Sequence, residues 1–120
     1  MKIQDIQYIL EKFEVQDFAY EGSAYTTVRV ITPIGIIDLS DLSTSENEAM
    51  YNLFLQRTIE AINKSGEWVI DQYSNCISMN RSNSLECNEV NIEGKDTRLT
   101  PDQAKEQAIL YIINKLRSEG

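Results

Sequence analysis

The chain has 120 residues, of which 42% are hydrophobic and 25% are charged. This length suits one domain, residues 1–120, with a single hydrophobic core, and the composition excludes an intrinsically disordered chain. The formal net charge of −8 disfavours direct, non-specific binding to nucleic acids and to anionic membranes.

The amino-terminal segment and the two cysteines predict a cytoplasmic protein. Residues 1–7 contain no apolar signal-peptide core, and no apolar run approaches the length of a membrane span. In a reducing cytoplasm Cys76 and Cys87 are expected to be free thiols. Their spacing would also suit a cross-strand pair in a hairpin.

The first third of the chain predicts a helix followed by short strands. Residues 2–13 carry apolar side chains at helical spacing, namely Ile3, Ile6, Leu10 and Phe13. Strands are predicted over residues 15–20, 25–31 and 36–39, because β-branched and alternating residues are frequent there. Residues 21–23 and 32–35 are the predicted turns between these strands.

Residues 43–66 form the clearest predicted helix. Its start can be capped in two registers, Ser45 with Glu48 or Ser43 with Glu46. Gly66 suits the left-handed residue that ends a helix. The apolar side chains form a stripe broad enough to need cover from two directions: Met50, Leu53, Phe54, Ala61 and Ile62, widened by Tyr51, Leu55 and Ile59.

The remaining sequence predicts further strands and a closing helix. Strands are expected over residues 67–71, 76–79 and 85–92, with a turn or bulge at 73–75, a polar loop at 80–84 and a turn at 93–96. Thr100, Pro101 and Gln103 mark the start of the last helix. Its predicted buried stripe consists of Ala104, Ala108, Ile112 and Leu116.

The elements therefore follow the order helix, strands, helix, strands, helix. Connections of hairpin length make the strands antiparallel. The predicted fold class is α+β, an antiparallel sheet with three helices packed on one face or at one end of it.

The sequence contains no motif for catalysis, metal binding or cofactor binding. It has no histidine, which excludes Ser-His and Cys-His nucleophilic sites. Its five glycines are dispersed and form no phosphate-binding loop, and two cysteines without histidine make no metal site. A lysine- or carboxylate-based site is left open. We expect a protein that is not an enzyme and that binds no cofactor or metal.

One candidate ligand-binding site combines aromatic rings with arginines. Trp68 is the only tryptophan, and Tyr73 follows it five residues later. Arg57 falls within the apolar stripe of the central helix, and Arg81 and Arg98 lie in loops beside the second hairpin. Arginines near an aromatic face suit a phosphate-bearing ligand that contains a ring. The alternative is that Trp68 lies in the core, Arg57 pairs with a carboxylate or reaches solvent, and the loop arginines bind nothing.

The carboxylates of the first half suggest a different partner. Nine of them lie within residues 5–48: Asp5, Glu11, Glu14, Asp17, Glu21, Asp38, Asp41, Glu46 and Glu48. If folding places these side chains on one surface, they could imitate a phosphate backbone and block the cleft of a basic partner protein. The alternative is a solvated acidic surface without a partner.

Three segments carry a resemblance to a known type of protein. They are residues 45–49 (SENEA), 66–70 (GEWVI) and 100–109 (TPDQAKEQAI). Their order resembles that of small phage αβα-sandwich proteins, in which a helix leads into a Trp-containing strand and hairpin and an Ala-x-x-x-Ala-Ile helix closes the unit. The resemblance covers about half the chain and implies a phage or prophage origin.

Small phage proteins without catalytic residues often act on host defence by binding, so the resemblance implies an anti-defence role. The first hypothesis is sequestration of a nucleotide-derived signalling molecule such as a cyclic ADP-ribose derivative, as Thoeris anti-defence proteins do. A chain of this size encloses a nucleotide poorly, so the pocket is expected at a homo-oligomer interface. The alternatives are an acidic inhibitor of a nucleic-acid-binding defence protein, of the anti-CRISPR type, or an immunity protein that neutralises a toxin.

Overall fold

A computed structural model describes residues 1–92 and 98–120. The predicted turn at residues 93–96 lies outside this part. The described residues form three helices and six strands: α1 (Ile3–Lys12), β1 (Ala19–Ser23), β2 (Val28–Thr32), β3 (Gly35–Asp38), α2 (Ser45–Ser65), β4 (Trp68–Gln72), β5 (Cys76–Arg81), β6 (Cys87–Asn91) and α3 (Pro101–Glu119). The predicted α+β class and the predicted order of elements are confirmed.

The chain divides into two compact units, Met1–Ala61 and Ile62–Gly120. Each unit contains one antiparallel sheet of three strands, in the order β1-β2-β3 and β4-β5-β6. Helix α2 runs to Ser65, so its last four residues belong to the second unit. Each sheet is a simple meander, because its strands follow one another along the chain.

In the first unit, α1 packs on β1 and β2. Val28 and Val30 of β2 are fully buried, whereas Arg29 and Ile31 between and beside them are exposed. Side chains alternate between the two faces of a strand, so β2 contributes one face to the core and turns the other outward. The helix predicted over residues 2–13 is confirmed, with its ends shifted by one residue.

The turn predicted at residues 21–23 was wrong, because these residues belong to β1. The pairing register between β1 and β2 shifts between Tyr20 and Gly22, which makes Glu21 the extra residue of a β-bulge. Glycine in a strand can mark a bulge as well as a turn. The chain reverses at residues 24–27, where the Ala24 N–H donates to the Thr27 carbonyl at 3.0 Å. The turn predicted at residues 32–35 is confirmed.

Helix α2 begins in neither of the two predicted capping registers. The Thr44 hydroxyl accepts a hydrogen bond from the Asn47 N–H at 3.1 Å, and the Thr44 carbonyl accepts one from the Glu48 N–H at 3.0 Å. Thr44 is therefore the N-cap, between the two serines that the sequence offered. At the other end Gly66 has a φ of 82°, which confirms the predicted left-handed residue after the helix.

The buried face of α2 is rotated relative to the predicted stripe. Its most buried side chains are Tyr51, Phe54, Leu55, Thr58, Ile59 and Ile62, whereas Met50 and Leu53 are only half-buried. Thr58 lies on this face although it is polar, and its hydroxyl donates to the Phe54 carbonyl at 2.7 Å. This internal hydrogen bond lets a polar residue occupy a fully buried position, which a pattern of apolar residues does not reveal.

In the second unit, α3 packs on β5 and β6. The predicted stripe of α3 is confirmed, since Ala104, Ala108, Ile112 and Leu116 are all buried. The predicted cap is confirmed as well. The Thr100 hydroxyl accepts from the Gln103 N–H at 3.2 Å, and the Gln103 side chain accepts from the Thr100 N–H at 2.9 Å.

The two cysteines lie at opposite ends of the β5–β6 ladder. Cys76 is opposite Asn91 and Cys87 is opposite Asn80, so three residue pairs of the ladder lie between them. A disulfide requires Cα atoms within about 7 Å of each other. Both cysteines are free, as expected.

The side chain of Asn63 pairs with the outer edge of β4. Its amide nitrogen donates to the Ile70 carbonyl at 3.1 Å, and its amide oxygen accepts from the Ile70 N–H at 2.6 Å. Strand β4 is at the edge of its sheet, where backbone groups lack a neighbouring strand. Asn63 therefore supplies hydrogen-bond partners for the backbone N–H and carbonyl of Ile70, as a neighbouring strand would.

Candidate functional site

Trp68, the centre of the predicted ligand site, lies inside the second unit. It is the first residue of β4, and its side chain is 1% exposed. Arg81 is its partner on β5, and the guanidinium carbon lies 4.7 Å from the centroid of the indole ring. Tyr111 of α3 meets the ring edge-on, with 6.1 Å between ring centroids and an interplanar angle of 87°. The indole is therefore enclosed by the unit's own side chains.

Charged groups hold both neighbours of Trp68 in place. The Arg81 Nη2 atom lies 2.7 Å from a carboxylate oxygen of Glu119, and this hydrogen bond raises the pKa of Arg81. The Tyr111 hydroxyl donates to Glu86 at 2.9 Å, and Lys115 lies 3.8 Å from the same carboxylate oxygen. A cation held over an aromatic ring and fixed by a carboxylate stabilises the packing of that ring.

The five predicted ligand-binding residues are distributed over both units. Trp68 and Arg81 are together, but the indole offers no free face for stacking. Tyr73 is 57% exposed after β4, and Arg98 is exposed shortly before α3. Arg57 belongs to the first unit. Its guanidinium lies 3.5 Å from Asp17 and 3.0 Å from Glu60, which is the carboxylate pairing weighed as an alternative.

Sequence reasoning missed Tyr111 and Glu86. Tyr111 lies seven residues after Ala104, so it continues the buried side of α3 and could have been found by helical spacing. Glu86 is 25 residues away from Tyr111 in the sequence, and no local pattern joins them.

The acidic residues are concentrated in the first unit. Residues 1–61 contain ten Asp and Glu and four Lys and Arg, a formal charge of −6, whereas residues 62–120 contain nine and seven, a charge of −2. Six carboxylates of the first unit are exposed and have no Lys or Arg partner among the described residues: Glu11, Glu14, Glu21, Asp41, Glu46 and Glu48. The equivalent set in the second unit is Asp71 and Glu89, because exposed Glu67 interacts electrostatically with Arg81.

One of these carboxylates is held in its charged form. Hydrogen bonds from the side chain and the backbone N–H of Ser43 lower the pKa of Asp41. Asp41 therefore keeps its negative charge to a lower pH than an ordinary aspartate does.

The outer face of the β1-β2-β3 sheet, in the same unit, carries exposed apolar side chains. Ile31 of β2 is 43% exposed and Ile36 of β3 is 50% exposed, and they are direct cross-strand partners. Ile34, in the turn between the two strands, is also exposed. The first unit thus presents an aliphatic patch together with uncompensated carboxylates.

The comparisons with known proteins identify no relative. No family model matches the chain, no curated protein matches it significantly, and no solved structure does so. Over residues 1–92 and 98–120, no helix is long and apolar enough to cross a membrane. Within the same ranges, no group of three or more His, Cys, Asp or Glu side chains could hold a metal ion.

We expect the Glu86–Tyr111 hydrogen bond to make stability depend on pH at both ends of the scale. The Tyr111 and Asn88 side chains lower the pKa of Glu86, so its contribution is present above its ordinary pKa and is lost as pH falls through the lower, folded value. Burial and the bond to Glu86 raise the pKa of Tyr111. Its contribution is complete below an ordinary tyrosine pKa and is lost as pH rises through the higher, folded value.

Urea unfolding across this pH range tests the bond. Tyr111→Phe should flatten the loss of stability above pH of about 10 and reduce the loss on the acidic side. Tyr25→Phe is the matched control, because that ring is 99% exposed. Equal pH dependence in the Tyr111→Phe and Tyr25→Phe variants would contradict the assignment.

Proposed function

We propose that this protein is a non-catalytic inhibitor that binds a basic, nucleic-acid-binding protein and covers its nucleic-acid-binding surface. The observation that carries the proposal is the charge of −6 in the first unit against −2 in the second. A surface that served only solubility would need no such asymmetry between two units of similar length.

The exposed carboxylates supply the attraction. Six of them in the first unit lack a Lys or Arg partner among the described residues, so their field extends into solvent to a distance of about 8 Å at physiological salt. Such a field speeds the encounter with a protein of opposite charge and suppresses binding to acidic proteins. A nucleic-acid-binding cleft carries that opposite charge because it is built to hold phosphates.

Two kinds of partner share this chemistry. One is a nuclease of a bacterial defence system, as in the anti-CRISPR hypothesis, and the other is a nuclease toxin that an immunity protein neutralises. A phage origin and an anti-defence role are part of the proposal for the first kind. Both partners would be inhibited stoichiometrically, through competition with nucleic acid.

A displacement assay tests the proposal. Fluorescently labelled DNA is bound to each of a panel of purified basic defence nucleases and nuclease toxins, and the protein is then titrated in. We expect displacement of the DNA from at least one of them, with an affinity that falls steeply between about 50 and 500 mM salt. Lysozyme, a basic protein without a nucleic-acid cleft, measures non-specific charge attraction. Binding to every panel member no tighter than to lysozyme would refute the proposal.

Charge-neutralised variants of each unit provide the matched comparison. Glu14→Gln, Glu21→Gln and Glu46→Gln together remove three exposed charges from the first unit, and Glu67→Gln, Asp71→Asn and Glu89→Gln remove three from the second. We expect the first triple variant to lose affinity by about tenfold or more and the second to change little. Equal losses would show attraction to total charge alone.

The sequestration of a nucleotide-derived signalling molecule is the second candidate. Exposed Tyr73 and Arg98 in the second unit favour it, since an aromatic ring and a guanidinium are open to solvent. Burial of Trp68 and the ion pair of Arg81 weigh against it. Thermal melting with a library of nucleotides and cyclic ADP-ribose derivatives tests this candidate, because a tight ligand raises the midpoint. No shift with any of them would remove it.

A further inference from the structure

We infer that the basic partner docks on the outer face of the β1-β2-β3 sheet, with Ile31 and Ile36 at the centre of the contact. This inference rests on the proposed function and assigns a surface to it. The unit that carries these isoleucines also carries the six exposed carboxylates without a Lys or Arg partner among the described residues.

The strand register places the apolar residues in one row across the sheet. Ile31 on the central strand pairs with Ala19 of β1 on one side and with Ile36 of β3 on the other. All three residues are exposed. They therefore form a continuous apolar strip about three strands wide, about 10 Å from the first strand to the third.

The next row of the same face is polar. Gly22, Arg29 and Asp38 pair across the three strands, and Arg29 with Asp38 leaves this row close to neutral. The bulged residue Glu21 precedes Gly22 in β1 and is exposed. An apolar centre with polar and charged surroundings is the usual composition of a protein–protein interface.

The outer face of the second sheet provides a comparison, because it has a row without apolar residues. There the row of Asp71, Ser78 and Glu89 is polar on all three strands, with Ser78 buried between two exposed carboxylates. An antiparallel sheet with one solvated face normally alternates apolar and polar side chains in this way. The adjacent isoleucines of the first sheet break the rule, and contiguous exposed apolar residues mark surfaces that another molecule covers.

Charge decides between a second copy of this chain and a basic protein as the occupant. Docking two copies through this face would bring two units of charge −6 together, and like charges at an interface oppose association. A basic surface with an apolar residue at its centre complements both the isoleucines and the carboxylates.

The double variant Ile31→Thr, Ile36→Thr tests the assignment. Threonine keeps the β-branch and the strand preference but removes apolar surface without adding charge. We expect affinity for the partner identified by DNA displacement to fall about tenfold or more, with an unchanged salt dependence, because the carboxylates are intact. Val69→Thr on the outer face of the second sheet is the matched control and should retain full affinity. Circular dichroism and the melting temperature verify that each variant folds.

The possible outcomes separate the two proposals. If the partner binds the double variant as tightly as the unmodified protein, the docking face is refuted while the proposed function stands. If no basic protein in the panel binds, the proposed function and the docking face are both refuted. If sedimentation shows a dimer of the unmodified protein that the double variant abolishes, a second copy covers the face and the inference is overturned.

Discussion

Replacement of Trp68 by alanine is expected to lower the free energy of unfolding by about 3 to 5 kcal/mol. The ring is 1% exposed, and its removal leaves a cavity between β4, β5 and α3. Arg81 would lose the ring beneath its guanidinium, and Tyr111 would lose its edge contact. Equilibrium unfolding in urea, followed by circular dichroism because the only tryptophan is removed, measures the change.

Trp68→Phe is the conservative control for this prediction. Phenylalanine keeps an aromatic ring between Arg81 and Tyr111. The indole N–H has no hydrogen-bond acceptor among the described residues, so its removal breaks no bond recorded there. We expect a loss of only about 1 to 2 kcal/mol, from the smaller volume. A loss below 1 kcal/mol in Trp68→Ala would show that the ring is not part of the core of the second unit.

Asn63→Leu is expected to destabilise the protein by about 1 to 3 kcal/mol, although the residue itself is exposed. The substitution removes both hydrogen bonds to Ile70 and leaves a backbone N–H and a carbonyl on the edge of β4 without these partners. Leucine has a similar volume and a higher helix propensity than asparagine, so the loss reports the hydrogen bonds.

Asn114→Leu is the matched control for Asn63→Leu. It makes the same substitution at an exposed position of α3, where we expect a change within about 0.5 kcal/mol. Amide hydrogen exchange adds a local measurement, because only Asn63→Leu should accelerate exchange at Ile70. Equal stability of the two variants would mean that water replaces the Asn63 amide without cost.

Local signals in the sequence were sufficient for the class of fold and for the best-capped elements. Thr100 and Gln103 define the start of α3 because their bonds join residues three apart, and Gly66 ends α2 because its lack of a side chain permits a positive φ. The predictions were wrong where one residue type is compatible with more than one local structure. Gly22 occupies a bulge instead of a turn, and Thr58 is buried through a bond to its own helix.

The candidate site was less accessible to sequence reasoning. Trp68 and Arg81 were singled out together and do meet, because a hairpin brings nearby residues opposite each other. Whether their contact faces solvent depends on Tyr111 and Glu119 of α3, which are distant in sequence. The charge of the first unit could be counted from the sequence. The row of Ala19, Ile31 and Ile36 could not be predicted, because it depends on a strand register that is shifted by a β-bulge.

The course of α2 through the boundary at Ala61 and Ile62 has a consequence for work with fragments. A fragment that began at Ile62 would keep Asn63 but only four helical residues, and so short a peptide does not hold helical geometry in water. Without the helix, the Asn63 amide would no longer be held in position to bond Ile70 of β4. Expression of the carboxy-terminal half alone should therefore start at Thr44. The second unit therefore needs helical residues of α2 that belong to the first unit.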